Sequence, residues 1–495
     1  MTTQSNKDGQ DLIIVGGGVI SLTLAIIISE IKPKVKINLI ERLDECGQES
    51  SKALNNAGTG HAGYCELNYT PEINGKIDVS NALKINEMFE NSLQLWAYLD
   101  IKYPNFLPKK FLSKSSHISF VRGNKNVSFL KKRYEELCKH NVFRDMEFTT
   151  SVKKIKAWAP LLIKKGSKKN TIAATKIDHG TDVNFEELTK QLLSILEKNE
   201  NFRIFYNNEV CNIKKSSKSG WKAISLNKIN KKQTHHTCKK IFIGAGGQSI
   251  RLLQRNNLKE IRGYGGLSLS GKWLVCNNPK IIKKHTAKVY GQAAANAPAM
   301  SIPHLDLRKI GGQKVLIFGP FAGFTTKFLK HGSYSDLFRS IKFNNISTFI
   351  DVCLKSFSLL RYLIGQSLST RNEMIMQLKN YYPDASEKDW IIIDAGYRVQ
   401  IIKQDSYRRG FLALGTEIIL SDDKSLAAVL GASPGASTAA NLMVEVTRKL
   451  FPAVRIKTIR NIFPSYGQKT SDDQEPLFHK RKECHQRLGL VSELK

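Results

Sequence analysis

The hexapeptide PHLDLR, residues 303–308, sets a histidine, an aspartate and an arginine at every second position. In a strand, His304, Asp306 and Arg308 share one face, while Leu305 and Leu307 lie on the other and anchor it in a core. One face then carries a candidate general base, an acid able to orient it and a guanidinium suited to a carboxylate. The same pattern also suits a surface strand whose charged face is solvated. His61, in TGHAG, is a rival base, because the neighbouring glycines allow close backbone approach; it equally suits a histidine that bonds its own loop or a cofactor. Arg398 in GYRVQ and Lys327 in TTKFL are two further cations for a carboxylate clamp, or ordinary surface charges.

Such groups need a scaffold, and the strongest scaffold signal is DLIIVGGGVISLTLAIIISEIKPKVKINLIER, residues 11–42. Leu12 to Val15 form an apolar run expected of a strand buried on both faces of a parallel sheet. Gly16, Gly17 and Gly18 permit a tight turn and close approach of a phosphate. From Val19 the apolar spacing predicts a helix, which Pro33 ends, and Val35, Ile37 and Leu39 alternate as a second strand. Glu41 at that strand's end is placed to accept hydrogen bonds from a ribose, and the helix N-terminus to meet a pyrophosphate. Ser21 stands where the usual pattern has its third glycine, which loosens the argument for tight helix–strand packing.

The 495 residues exceed what one hydrophobic core usually serves, so two intertwined domains are expected. No stretch reaches the ~20 apolar residues of a membrane span, and the first ten residues lack a secretory apolar core. A cytoplasmic location follows as an expectation. The eight cysteines include no C-x-x-C pair and read as reduced thiols; no metal site is expected. The net charge of +33 is compatible with nucleic acid, anionic lipid or a solvated lysine-rich surface. Because the lysines are dispersed and accompany no nucleic-acid module, no nucleic-acid partner is expected.

Asn184 is the expected N-cap of an amphipathic helix over 184–196, with Glu187 three residues on. KKIFIGAGGQS, 239–249, again runs from apolar residues into glycines, Gly244, Gly246 and Gly247, and a small-residue helix is expected from about Gly435. These spacings predict an α/β protein: a Rossmann-like nucleotide-binding domain assembled from three chain segments, 1–75, 171–255 and 386–470. An α+β substrate domain, 76–170 and 256–385, is interleaved with it, and 471–495 forms a basic tail.

The blocks QESSKALNNAGTGHAGYCELNYTPE (48–72), IFIGAGGQSIRLLQ (241–254), SIPHLDLR (301–308), FGPFAGFTTKFLK (318–330), GYRVQIIKQD (396–405) and LGASPGASTAANLM (430–443), in this order, resemble the FAD-dependent malate:quinone oxidoreductases, relatives of the D-amino-acid-oxidase-like flavoproteins. The resemblance implies FAD as cofactor and oxidation of (S)-malate to oxaloacetate, with electrons passed to a membrane quinone. It further implies a place in the tricarboxylic acid cycle and the respiratory chain. By similarity, Gly16, Gly18, Glu41 and Arg42 hold the adenosine and pyrophosphate half. Ser50, Ser51, Gly58, Thr59, Gly431 and Gly435 then lie nearer the isoalloxazine, with free amides after GASPG stabilising charge on it. The resemblance favours His304 over His61 as the base, with Arg308 on a malate carboxylate. An enzyme that reduces a membrane quinone without a spanning helix is expected to attach peripherally to anionic lipid on the inner face of the cytoplasmic membrane. Lys52 and Leu54 depart from the family's pattern near the flavin. An L-2-hydroxyglutarate-type dehydrogenase, or a non-enzymatic basic binding protein on the same fold, remains as an alternative.

Overall fold

A computed structural model describes residues 4–5, 10–164, 171–216, 220–256, 258–292, 302–413, 415–431, 435–468 and 475–491. Two large sheets organise it. The first is nine-stranded, and its centre is parallel: Phe202–Phe205, Ile37–Ile40, Gln10–Val15, Gln233–Ile243 and Leu426–Gly431 lie side by side. Leu12 and Ile14 face one core of this sheet and Ile13 and Val15 the other, which is why the run is continuously apolar. Helices Val19–Ile31, Ser80–Lys102, Phe185–Leu196 and Ala439–Leu450 pack together over one face. Each fully buried leucine there, Leu22 for example, contributes roughly 2 kcal/mol.

The second sheet has ten strands and is mostly antiparallel. At its centre His304–Ile310 lies between Gln313–Phe324 and Ala287–Tyr290, so both its neighbours are also covered. Helix Arg371–Lys379, started by a capping box of Thr370 and Glu373, buries Met374, Ile375 and Leu378 beneath it, beside Trp390. A short separate pair, Leu112–Lys114 with Thr181–Val183, lies beside them, and an isolated bridge joins its Asp182 to Thr59.

Strand pairing departs from the sequence-drawn segments in several places. Ile172–Ile177 and Arg398–Gln404, expected with the nucleotide-binding sheet, are members of the second sheet. Ser80–Lys102, expected in the substrate domain, packs instead in the first core, through Phe89, Leu93 and Trp96. Alternation and amphipathicity mark such elements as strands and helices but do not say which sheet receives them. The small-residue helix starts at Ala439, not Gly435. Within the basic C-terminal segment, helix Glu475–Arg487 docks on Ser80–Lys102, with Arg481 2.8 Å and His485 3.0 Å from the buried Glu90.

Candidate active site

A cavity of about 300 Å³ runs from the glycine turn of the first sheet to the second sheet. At one end, Gly16 has φ +93°, and a Cβ there would stand 2.7 Å from the Gly244 carbonyl. This glycine is required by the protein itself. Gly18 differs: a Cβ would meet only Ser51 Oγ, at 3.6 Å, so the space beside it is open on the cavity side. Ser51 accepts a hydrogen bond from Val19 N at 3.0 Å and thereby caps the helix from 32 residues away. Ser21 fits where a third glycine is usual because residue 244 has no side chain: a Cβ on Gly244 would lie 2.2 Å from Ser21 Oγ. The tight packing is thus kept by exchanging which partner is small.

Glu41 accepts from Gly17 N at 2.6 Å and Leu43 N at 2.8 Å, and burial pushes its carboxyl above the usual range despite these bonds. Arg42 is held by Glu49 at 2.8 Å and lines the same end. Ser50, Gly58, Thr59, Gly244, Gly246, Gly431 and Gly435 line the cavity too, with Gly435 at the approach to helix Ala439–Leu450; residues 432–434 of GASPG lie outside the described residues. Arg251 and Arg255, which no sequence motif singled out, add positive charge to the wall. Donor-rich helix ends, an unfilled face at Gly18 and an acid at the strand end fit a FAD, with its phosphates at the glycine turn.

At the other end the cavity meets His61 and Arg398. His61 Nδ1 lies 2.6 Å from Glu66 Oε1. Burial works to raise the Glu66 pKa, but the His61 hydrogen bond and charge outweigh it and hold the carboxyl below its usual range. Arg398 opens strand Arg398–Gln404. Among the described residues its guanidinium has no carboxylate partner, and burial pulls its pKa down against the opposing influence of Tyr290 and Tyr69. A guanidinium so placed stays charged and favours an anion in the cavity.

The strand His304–Ile310 has the expected alternation, yet its charged face is turned into protein. His304 Nδ1 is 2.9 Å from Asp306 Oδ2, and the ring stacks on Tyr290 with centroids 4.3 Å apart. His304 is not among the described residues lining the cavity; Tyr290 stands next to it, its hydroxyl 2.8 Å from Thr59 Oγ1. Burial would raise Asp306, but His304 and Lys288 hold it down at about 2. Lys288 also donates to Ala57 O at 2.9 Å and pairs with Asp182 at 2.9 Å.

Arg308 is fully buried, 2.7 Å from Asp182, and donates to the carbonyls of Ala53 and Asn56. A Cβ on Gly58 would stand 2.3 Å from its Cζ. With its donors spent on the 53–58 loop, Arg308 holds the cavity wall and is not disposed to grip a substrate carboxylate. This corrects the role expected of it; the register was legible, but its partners come from chain more than 100 residues away. Lys327 sits 4.5 Å from the Tyr334 ring and is not among the described cavity-lining residues. Lys288, Asp182 and Glu66 carried no sequence signal of their own, since each acts only through a tertiary partner.

This arrangement, a glycine-turn parallel sheet facing an antiparallel sheet across one cavity, defines the FAD-dependent oxidoreductase fold. Solved structures of that fold align over most of the chain: L-alpha-glycerophosphate oxidase from Mycoplasma pneumoniae with FAD bound (TM-score 0.57, 18% identity, 91% of this chain and 95% of that one) and L-proline dehydrogenase from P. horikoshii (0.58, 12%, 92% and 97%). The malate:quinone oxidoreductase family model matches residues 8–490. The probable malate:quinone oxidoreductases of Flavobacterium psychrophilum (46% identical, 94% of this chain and 95% of the relative) and of Prochlorococcus marinus subsp. pastoris (47%, 97% and 97%) align along nearly the full length. The chain belongs to the malate:quinone oxidoreductase family.

Proposed function

We propose that this protein oxidises (S)-malate to oxaloacetate and delivers the electrons to a membrane quinone, linking the tricarboxylic acid cycle to the respiratory chain. The observation that supports this most directly is a half-buried guanidinium, Arg398, without a carboxylate partner among the described residues, lining the same cavity as His61, which Glu66 holds. Arg398 binds a malate carboxylate through two parallel N–H donors and so fixes C2 relative to the cavity wall. Glu66 accepts from His61 Nδ1–H and orients the ring, and His61, lining the cavity, takes the C2 hydroxyl proton. FAD, when bound, supplies the two-electron acceptor for the hydride that leaves C2. His304, behind Tyr290, positions that ring and through it Thr59.

A quinone resides in the bilayer, so the protein works at a membrane surface. Among the described residues no helix is long and apolar enough to cross one. Peripheral contact with anionic lipid at the inner face of the cytoplasmic membrane accords with the charge of +33.

The test is anaerobic addition of (S)-malate to the flavin-loaded protein while absorbance near ~450 nm is followed. Bleaching by malate, with a lower kcat/KM for 2-hydroxyglutarate, is expected. Arg398→Lys should need roughly 10–100-fold more malate for the same rate, since one ammonium cannot reproduce the bidentate grip. An unbleached flavin overturns the substrate assignment.

A further inference from the structure

Among the described residues, nine of the nineteen exposed large apolar side chains fall within positions 334–368. They are not scattered along that stretch. Helix Ile346–Lys355 is fixed to the second sheet by its inner face: Val352 is buried, Thr348 Oγ1 donates to Gly263 O at 2.9 Å, and Phe349 packs on Gly265. Its outer face carries Ile346, Ile350 and Leu354, spaced four apart. Helix Phe357–Ser367 likewise buries Leu363 against Leu269 and Ala322 and turns Phe357 and Ile364 outward. Phe338 precedes them, and Phe343 is fully exposed. A helix that meets only water presents polar residues on its outer face; these two present apolar ones.

Within 334–368 the exposed charges have one sign. Arg339, Lys342, Lys355 and Arg361 are exposed, while the two acids in the stretch turn inward, Asp336 to Arg251 at 2.6 Å and Asp351 to Gly410 N at 2.7 Å. The face lies across a strand from the cavity: Leu269, against which Leu363 packs, pairs with the cavity-lining Arg398. Leu329, five residues before Tyr334, lines the cavity, and so does Tyr397.

We infer that the helices Ile346–Lys355 and Phe357–Ser367, with Phe338 and Phe343, form the surface that enters an anionic bilayer, apolar side chains among the acyl chains and the four cations at the headgroups. An apolar face accompanied by cations suits an interfacial helix on anionic lipid. A second copy of this chain is the poorer occupant, because a symmetric contact sets the same cations against one another. The inference builds on the proposed quinone acceptor and assigns its point of delivery, across a strand from the cavity.

The experiment compares the flavin-loaded full chain with Phe343→Asp/Leu354→Asp, both sites being exposed and outside the cavity. Co-sedimentation uses phosphatidylcholine vesicles with and without phosphatidylglycerol. Malate-dependent reduction of a soluble dye reports the reaction independently of lipid. The parent should bind the phosphatidylglycerol vesicles and keep a substantial bound fraction at about 1 M salt, where the Debye length is about 3 Å. The variant should bind at least tenfold more weakly, reduce the dye at the parent rate and reduce a bilayer-embedded quinone at least tenfold more slowly. Equal vesicle binding by parent and variant overturns the inference, as does complete release of the parent by salt. A dimer of the parent that the variant abolishes, without a change in vesicle binding, assigns the face to a second copy instead. Loss of dye reduction in the parent strikes at the proposed reaction, not at this surface.

Discussion

Two histidine–carboxylate pairs stand near one another in this protein with the same geometry and different surroundings. His61 and Glu66 are 2.6 Å apart, and His304 and Asp306 are 2.9 Å apart. Both carboxylates are buried and held below the ordinary range. The difference lies in what else each carboxylate touches. Glu66 has no lysine or arginine ion-pair partner among the described residues, so its hold falls on His61, which lines the cavity. Asp306 is shared with Lys288, which is shared in turn with Asp182 and hence with Arg308. Two anions and two cations therefore balance inside the protein, and the histidine joins as a fifth member. What surrounds a histidine–carboxylate motif is therefore set by the remaining charges around its acid, not by the spacing of the pair.

The largest effect should come from breaking the structural pair's surroundings. Lys288→Met removes one cation from a completely buried quartet and leaves Asp306 and Asp182 short of a partner. A loss of about 3–5 kcal/mol is expected, seen as a lower thermal midpoint with or without flavin. A variant as stable as the parent would show that the quartet is solvated in solution.

His61→Gln should lower kcat by about a hundredfold or more, with flavin content kept, because a positioned base is lost. His304→Gln should keep kcat within roughly tenfold and lower stability instead, through its lost stacking and ion pair. If the kinetic effects are exchanged, the two histidines exchange roles, and the cavity must extend past Tyr290 during turnover.

The smallest expected effect concerns His117, which both carboxylates feel. Its Nε2 accepts from Thr181 N at 3.1 Å, and burial pulls its pKa down to about 4, against opposing attraction from Glu66. The unfolded chain therefore takes up the proton first as pH falls below about 6.5. Stability from this group is fully present above that pH and is lost progressively toward pH 4, with a total on the order of 3 kcal/mol. Thermal midpoints measured from pH 7 to pH 4.5 should fall, and His117→Gln should flatten that slope. An unchanged slope in the variant would assign the acid sensitivity elsewhere.

Local covalent chemistry was legible in the order of residues alone. The apolar run Leu12–Val15, the glycine turn, Glu41 at the end of the next strand and the Asn184 cap all read correctly because each follows from neighbours a few residues apart. The alternation of His304, Asp306 and Arg308 was equally legible, since a strand fixes which side chains share a face. What that face meets depends on packing between distant parts of the chain. Lys288 from the adjacent strand, Asp182 from the short strand Thr181–Val183 and the carbonyls of the 53–58 loop turn the motif into a buried lock. The same assembly brings His61 and Arg398, 337 residues apart in the chain, to one cavity. Charges act over a few ångströms of space whatever their separation in sequence, so the role of each waits on the packing that selects its partners.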